Sequence, residues 1–232
     1  MDVCSVHHND VFLRYSVSLL GYGFYGDVLS DSERNRWLGP ARYDLAGVKT
    51  FLSHNYYEGT VSFLPAEDDV GNPRDKLQCR SGKQPLISEE QNDSSDWNEI
   101  HGKFIAINAA NMSCACPRSP KGLSPFAHLA DGNADLILVR NCSRLDFFKH
   151  LLRHTNKDDQ FDHSFVEVHR VRKFRFEPER HILVSLEDLS EPATKTGYST
   201  PLGSWSCDGE ILPEVTIVRR TLRGIIRDST KV

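Results

Sequence analysis

The chain has 232 residues, of which 39% are hydrophobic and 26% charged, so it can bury a substantial core and is neither collagen-like nor wholly disordered. Its formal charge of −4, from 28 basic and 32 acidic residues, excludes a global basic excess of the kind that drives nucleic-acid binding. Met1-Asp-Val-Cys-Ser shows neither a basic n-region nor an apolar h-region, and the apolar runs are far short of a bilayer span; this reads as a soluble, cytoplasmic chain.

Val11 to Leu20 alternates apolar and polar positions, which predicts one half-buried strand with Val11, Leu13, Tyr15, Val17 and Leu19 on one face. Gly21-Tyr-Gly-Phe-Tyr-Gly26 follows, and Ser30 and Glu33 have capping-box spacing that predicts a helix start. Gly39-Pro40 ends that helix, and the next carries Leu45, Val48, Phe51 and Leu52 on one stripe. Tyr57 to Leu64 is the next expected strand. From Ala66 to Glu99 nine acidic residues stand against four basic ones with almost no apolar periodicity, which predicts a long flexible insertion.

Strands are expected again at Lys103–Asn108 and Leu136–Arg140, the latter after an Asp131-Gly132 turn. Leu145 to Leu152 predicts a short helix with Phe148, Leu151 and Leu152 inward. Ser164 to Phe176 reads as a long strand or hairpin, residues 178–204 as a second irregular insertion, and Pro213–Ile226 as a final strand or pair. The expected fold is mainly β, a sandwich with a few helices, occupying residues 1–226 with a tail at 227–232.

Several patterns point to chemistry and each has a structural alternative. Gly21-x-Gly23-x-x-Gly26 imitates a dinucleotide fingerprint, but an acidic residue closing a second parallel strand is missing, since Asp44 lies in a helical stretch; the alternative is a strand end where glycine allows close backbone approach. Arg36 and Arg42 would diverge on one straight helix, because six residues turn about 600°. The Gly39-Pro40 break lets both guanidinium groups converge, a geometry suited to phosphate; otherwise they are two solvated arginines. Asp208-Gly209-Glu210 offers two carboxylates around a tight turn, for a magnesium–nucleotide or a substrate hydroxyl, or simply a hairpin. His150 and His154 lie one helical turn apart without the Glu of a zinc protease, and read as an exposed helix face. Arg170, Arg172, Lys173 and Arg175 could meet lipid headgroups or form a solvated strand face. The six cysteines read as buried thiols, with a composite zinc site around Cys114 and Cys116 as the alternative.

Tyr15-Ser-Val-Ser-Leu-Leu-Gly-Tyr-Gly-Phe-Tyr-Gly-Asp27, Arg36-Trp-Leu-Gly-Pro-Ala-Arg42, Tyr57-Glu-Gly-Thr-Val-Ser-Phe-Leu-Pro65, Asn111-Met-Ser-Cys-Ala-Cys116 and Trp205-Ser-Cys-Asp-Gly-Glu210 together resemble the ceramide kinase family, within the diacylglycerol and sphingosine kinase group. The resemblance covers the C-terminal lobe of a two-lobed lipid kinase. It implies ATP-dependent phosphorylation of ceramide, with ATP and Mg2+ held jointly with an N-terminal lobe that carries the Gly-Gly-Asp-Gly loop and the catalytic aspartate. By position, Arg36, Arg42, Asp208, Gly209 and Glu210 resemble nucleotide-contacting residues, and Asp27 an acidic position on the lipid side. Position 29, a substrate-contacting Asp in sphingosine kinases, is Leu29 here. The family's cysteine cluster is reduced to Cys79. The resemblance further implies a ceramide-type lipid and the N-terminal lobe as partners, and peripheral membrane contact through a pleckstrin-homology domain. It assigns no catalytic residue and no metal ligand to this chain, which is expected to be inactive alone. The alternative is a non-enzymatic β-sandwich that binds lipid or protein.

Overall fold

A computed structural model describes residues 2–9, 11–66, 73, 97–117, 119–155, 159–179, 203–212 and 222–228. Most of the two expected insertions, with Cys79, and residues 213–221 of the expected final strands lie outside the described residues. Ten strands and three helices follow in the order β1 (Asp2–His8), β2 (Val11–Ser16), β3 (Leu19–Gly23), α1 (Phe24–Arg34), a 3₁₀ turn (Arg36–Leu38), α2 (Ala41–Ser53), β4 (Tyr57–Pro65), β5 (Asn98–Ala110), β6 (Ala134–Arg140), α3 (Arg144–Arg153), β7 (Val166–Pro178), β8 (Trp205–Cys207), β9 (Glu210–Ile211) and β10 (Leu222–Asp228).

The strands run β2-β1-β10-β7-β4-β5-β3-β8-β9, with β6 against both β5 and β7. Every pairing is antiparallel. The two longest strands make this a sandwich. The first half of β5 pairs with β4 through Asn98–Phe104, and its second half pairs with β6 as far as Ala110. Likewise β7 gives Val166–Val171 to β6 and Val171–Pro178 to β4. Each long strand therefore leaves one layer and enters the other, and the core lies between them. It contains Val6, Leu20, Tyr22, Val61, Phe63, Phe104, Leu136, Leu138, Phe174, Phe176 and Trp205, drawn from both layers. β6 is buried on both faces, since Ile137 and Val139 point outward into smaller clusters under α1, α3 and the loops. A strand covered twice reads as a continuous apolar run, which is why Ala134–Arg140 lacks alternation.

Where the structure departs from the sequence pattern, the reason is local. The expected strand Val11–Leu20 is two strands, β2 and β3, interrupted at Val17-Ser18. Its alternation does not mark a core face: Val11 and Tyr15 are exposed on β2, an edge strand. β1, which was not among the expected strands, fills the next position inward. The first helix begins at Phe24, not at Ser30, because Gly23 takes φ +77° and turns strand directly into helix. The glycine string serves close packing. A Cβ on Gly23 would lie 2.5 Å from the Ile105 carbonyl, and one on Gly26 would lie 1.9 Å from the Ser204 carbonyl. With antiparallel neighbours on both sides of β3, the parallel βαβ unit of a dinucleotide fold is excluded.

The helical stripes also depart from expectation. On α2 the buried positions are Ala46 and Thr50, while Leu45, Val48 and Leu52 are exposed. On α3 Phe147 and His150 are buried, while Phe148 and Leu152 are exposed. Periodicity located an apolar stripe on each helix, but the small Ala46 and the flat Phe147 ring are what fit the inner contact. The basic strand face is only partly solvated: Arg170 is buried and donates through Nε to Asp135 at 3.0 Å.

Candidate functional site

The turn between β8 and β9 is the most constrained element of the site. Cys207 pairs with Glu210, leaving a two-residue loop in which Asp208 has φ +51° and Gly209 φ +86°. Two left-handed residues make the hairpin turn whose twist matches the strands, and Asp-Gly is well suited to it. Trp205, two residues earlier, is anchored in the core 4.9 Å from the Tyr22 ring, which fixes where the turn emerges.

The Asp208 carboxylate reaches back to the break between β2 and β3. It accepts from the backbone N–H groups of Val17, Ser18 and Leu19 at 2.7, 2.8 and 2.9 Å, and from the hydroxyls of Ser16 and Ser18 at 3.0 and 2.7 Å. Its own backbone N–H donates to the Leu19 carbonyl. Burial alone would raise this carboxyl's pKa, but the Val17, Leu19 and Ser18 donors outweigh it and hold the pKa below the ordinary value. This is why an unbroken strand from Val11 does not form: residues 16–19 spend their donors on a carboxylate nearly 200 positions away.

Four of the five hydrogen bonds fall on Oδ1 and Oδ2 accepts from Val17 N–H alone, so one oxygen of this carboxylate keeps a lone pair for a ligand. All three residues of the triplet are exposed; a Cβ on Gly209 would meet nothing within 4 Å, and Glu210 is paired with Arg14 at 2.8 Å.

Arg36 and Arg42 do come together, at Glu33. Arg36, in the 3₁₀ turn, donates from Nε to Glu33 Oε2 at 2.5 Å, and Arg42, in the first turn of α2, lies 3.4 Å from Oε1. Gly39, at φ +59°, reverses the chain between them, and a Cβ there would meet nothing within 4 Å. The same Arg42 Nη2 donates to the Tyr43 hydroxyl at 2.7 Å. A carboxylate bridging two guanidinium groups occupies the position an anionic oxygen of a ligand would take.

Asp27 sits on α1 where that helix meets the Ser204 loop. It accepts from Ser204 N–H at 2.9 Å and from the Tyr57 hydroxyl at the start of β4. Burial pushes its pKa up to about 6, against the lowering effect of those bonds. Gly26 is what allows this contact, because only a residue without Cβ lets Ser204 so close to the helix.

The histidine pair is not an exposed face. His150 is buried, and burial together with His154 and His163 lowers its pKa to about 3; His154 is lowered to about 4, chiefly by burial. Burial also raises the thiols of Cys114, Cys142 and Cys207 to about 11, the behaviour of neutral thiols. Among the described residues the grouping with metal-ligand spacing is Glu58, His101 and Glu179, and it includes no cysteine.

Sequence reasoning named the outer members of each contact and missed the inner ones: Glu33 between the arginines, Tyr57 beneath Asp27, Arg14 beside Glu210. For Glu33 the signal was present, as the i, i+3 spacing to Arg36. Tyr57 and Arg14 are joined to their partners only by the tertiary fold.

With this geometry in place, the comparisons decide the family. The model of the ceramide kinase C-terminal domain matches residues 18–224. This chain belongs to that family. It is 52% identical to human ceramide kinase over 254 aligned residues, covering 98% of this chain and 47% of the relative. Mouse ceramide kinase is 50% identical over 99% of this chain and 50% of the relative, and Arabidopsis thaliana ceramide kinase 33% identical over 93% and 37%. The chain spans about half the length, or less, of these ceramide kinases.

Proposed function

We propose that this chain is the C-terminal lobe of a ceramide kinase, which transfers the γ-phosphoryl group of ATP to the primary hydroxyl of ceramide and is completed by an N-terminal lobe. The observation that carries this reading is the family match across residues 18–224, a span that includes Arg36, Arg42, Asp27 and the Asp208–Glu210 turn.

Phosphoryl transfer depends on positioning and on neutralising charge. Arg36 and Arg42 supply two guanidinium groups at one point, and on this reading a phosphate takes over the contacts that Glu33 makes. Asp208 acts as a positioning residue: it holds residues 16–19 against the turn, so that Gly209 and Glu210 stand at a fixed place beside the nucleotide. Cys4 pairs with Ser16, so a lobe preceding β1 would join the chain next to that turn, which supports a nucleotide held between lobes. Mg2+ would screen phosphate charge when bound, and Asp208 Oδ2, which accepts from Val17 N–H alone, could hold it. Asp27, which accepts from the Tyr57 hydroxyl, is assigned to the lipid side. No residue of this chain is assigned as the base that takes the ceramide proton, so the isolated chain is inactive.

The test is labelled-phosphate transfer to ceramide by this chain alone and after reconstitution with an N-terminal lobe. The proposal requires no transfer alone, transfer on reconstitution, and loss of transfer with Arg36→Ala. Transfer by the chain alone at the reconstituted rate, or reconstituted transfer insensitive to Arg36→Ala, would overturn it.

A further inference from the structure

On the outer face of the sheet, three neighbouring strands bring together an imidazole and two carboxylates. Glu58 stands on β4, His101 on β5, and Glu179 directly after β7. The face is the one opposite to Tyr57, Val61 and Phe63, which lie in the core. Strand register places all three. His101 is the cross-strand partner of Thr60, which is two residues along β4 from Glu58 and so on the same face. Gly59 pairs with Pro178, and the ladder continues as Glu179 N–H donates to the Glu58 carbonyl at 2.7 Å, which sets Glu179 beside Glu58. One ligand atom from each of the three residues lies within 4.8 Å of the other two. The His101 ring is fixed from behind: Nδ1 lies 3.3 Å from the Thr60 hydroxyl, while Nε2 faces Glu179 at 3.8 Å.

With the ring proton donated from Nδ1 to Thr60, three acceptors face one another. Like charges at neighbouring positions of adjacent strands weaken a sheet. Lys103, the cation paired with Glu58, stands 3.7 Å from it, beyond hydrogen-bonding distance. A divalent cation removes the conflict by taking a lone pair from all three residues at once. The donor set selects the metal: imidazole with carboxylate suits Zn2+ and its first-row neighbours, whereas Mg2+ and Ca2+ take oxygen ligands. Around a tetrahedral Zn2+ with bonds of about 2.1 Å, ligand atoms stand about 3.4 Å apart. His101 and Glu179 are exposed, so rotation of their side chains closes that gap. A hydrogen-bond partner on the far ring nitrogen, here Thr60, is the usual device that orients a ligating histidine and leaves its other nitrogen unprotonated. We propose that Glu58, His101 and Glu179 form a site for Zn2+ or a similar first-row cation, with water in the fourth position, clamping the end of β7 to β4 and β5. The site uses none of Arg36, Arg42, Asp27 or Asp208, so it is independent of the phosphoryl-transfer reading and goes beyond it.

The experiment is calorimetric titration of the full chain, reduced and stripped with EDTA, with ZnCl2 and separately with MgCl2 and CaCl2. Wild type is compared with His101→Ala, Glu179→Gln and Thr60→Val, and melting temperatures in EDTA that match wild type confirm the fold of each variant. The wild-type chain is expected to bind Zn2+ with a rise in melting temperature, and to bind Mg2+ and Ca2+ far more weakly. His101→Ala should weaken Zn2+ about a hundredfold or more, and Thr60→Val about tenfold, the effect of removing a partner that only orients a ligand. Should His101→Ala fail to fold, Glu179→Gln, at an exposed position past the end of β7, carries the same comparison. Absorption of the Co2+ form identifies the donors: d–d bands without a thiolate charge-transfer band are expected. A wild type that takes no Zn2+, or Zn2+ affinity unchanged in both His101→Ala and Glu179→Gln, would overturn the proposal. So would a strong thiolate band lost in neither variant, which would move the metal to the cysteines, or Mg2+ bound as tightly as Zn2+, which would leave only a cluster of surface carboxylates.

Discussion

At the scale of single residues, the site is built from carboxylates in three different states. Asp208 is held below its ordinary pKa by the donors gathered on it, four of them on Oδ1. Removing its side chain leaves three backbone N–H groups and two hydroxyls without their acceptor. Asp208→Ala should therefore cost about 3 kcal/mol or more in chemical denaturation, the range for losing several hydrogen bonds to one charge. Glu210 makes one exposed ion pair with Arg14, and Glu210→Gln should change stability by less than about 1 kcal/mol, which makes it the cleaner probe of nucleotide affinity. Asp27 is the reverse of Asp208. Its folded pKa is raised to about 6 from an ordinary 3.8, so the unfolded state loses its proton first as pH rises, and stability falls from pH 3.8 to about pH 6, where the loss is complete. Asp27→Asn removes that penalty. Relative to wild type, the variant should be more stable at about pH 7.5 than at about pH 5 by about 1.4 kcal/mol; an equal difference at both pH values would contradict the buried, near-neutral carboxyl.

At the scale of elements, what could be read from the sequence depended on how local the cause was. β4, β6 and β7 were legible because their β-branched and aromatic runs end at Pro65, Arg140 and Pro178 without any tertiary instruction. The Asp208-Gly209 turn was legible for the same reason. The β2–β3 break was not, because its cause is a carboxylate on β8's turn, and neither was the true start of α1, set by Gly23 against β5. For α2 and α3 the stripe was found but placed off-centre: Phe51 and Leu151 do pack on the core, while Leu45, Val48, Leu52, Phe148 and Leu152 are exposed. The same offset concealed the imidazoles of α3. His150 and His154 take their protons near pH 6.5 when unfolded but at about 3 and 4 when folded, so each costs stability as pH falls through 6.5. Asp27 and Asp131, both raised to about 6, oppose this by taking protons in the folded state. His150→Phe isolates one imidazole: between about pH 7.5 and pH 5 the variant should lose about 2 kcal/mol less than wild type. Parallel pH profiles would mean that His150 is not buried neutral.

At the scale of the whole molecule, the sandwich brings two distant segments together, residues 16–19 and residues 207–210, while α1, the 3₁₀ turn and α2 carry Asp27, Glu33 and the two arginines. The family resemblance assigned these positions from sequence because the motifs carry them intact. It did not disclose how they are held, which is a matter of Glu33, Tyr57 and the turn at Ser16–Leu19. On the proposed reading this domain supplies charge and position rather than a base. Phosphoryl transfer in reconstitution with an N-terminal lobe, comparing wild type with Arg36→Ala and Arg42→Ala, tests this most directly. Each variant is expected to lose about tenfold to a hundredfold in affinity for ATP, with melting temperature unchanged. Wild-type ATP affinity in both variants would contradict the account.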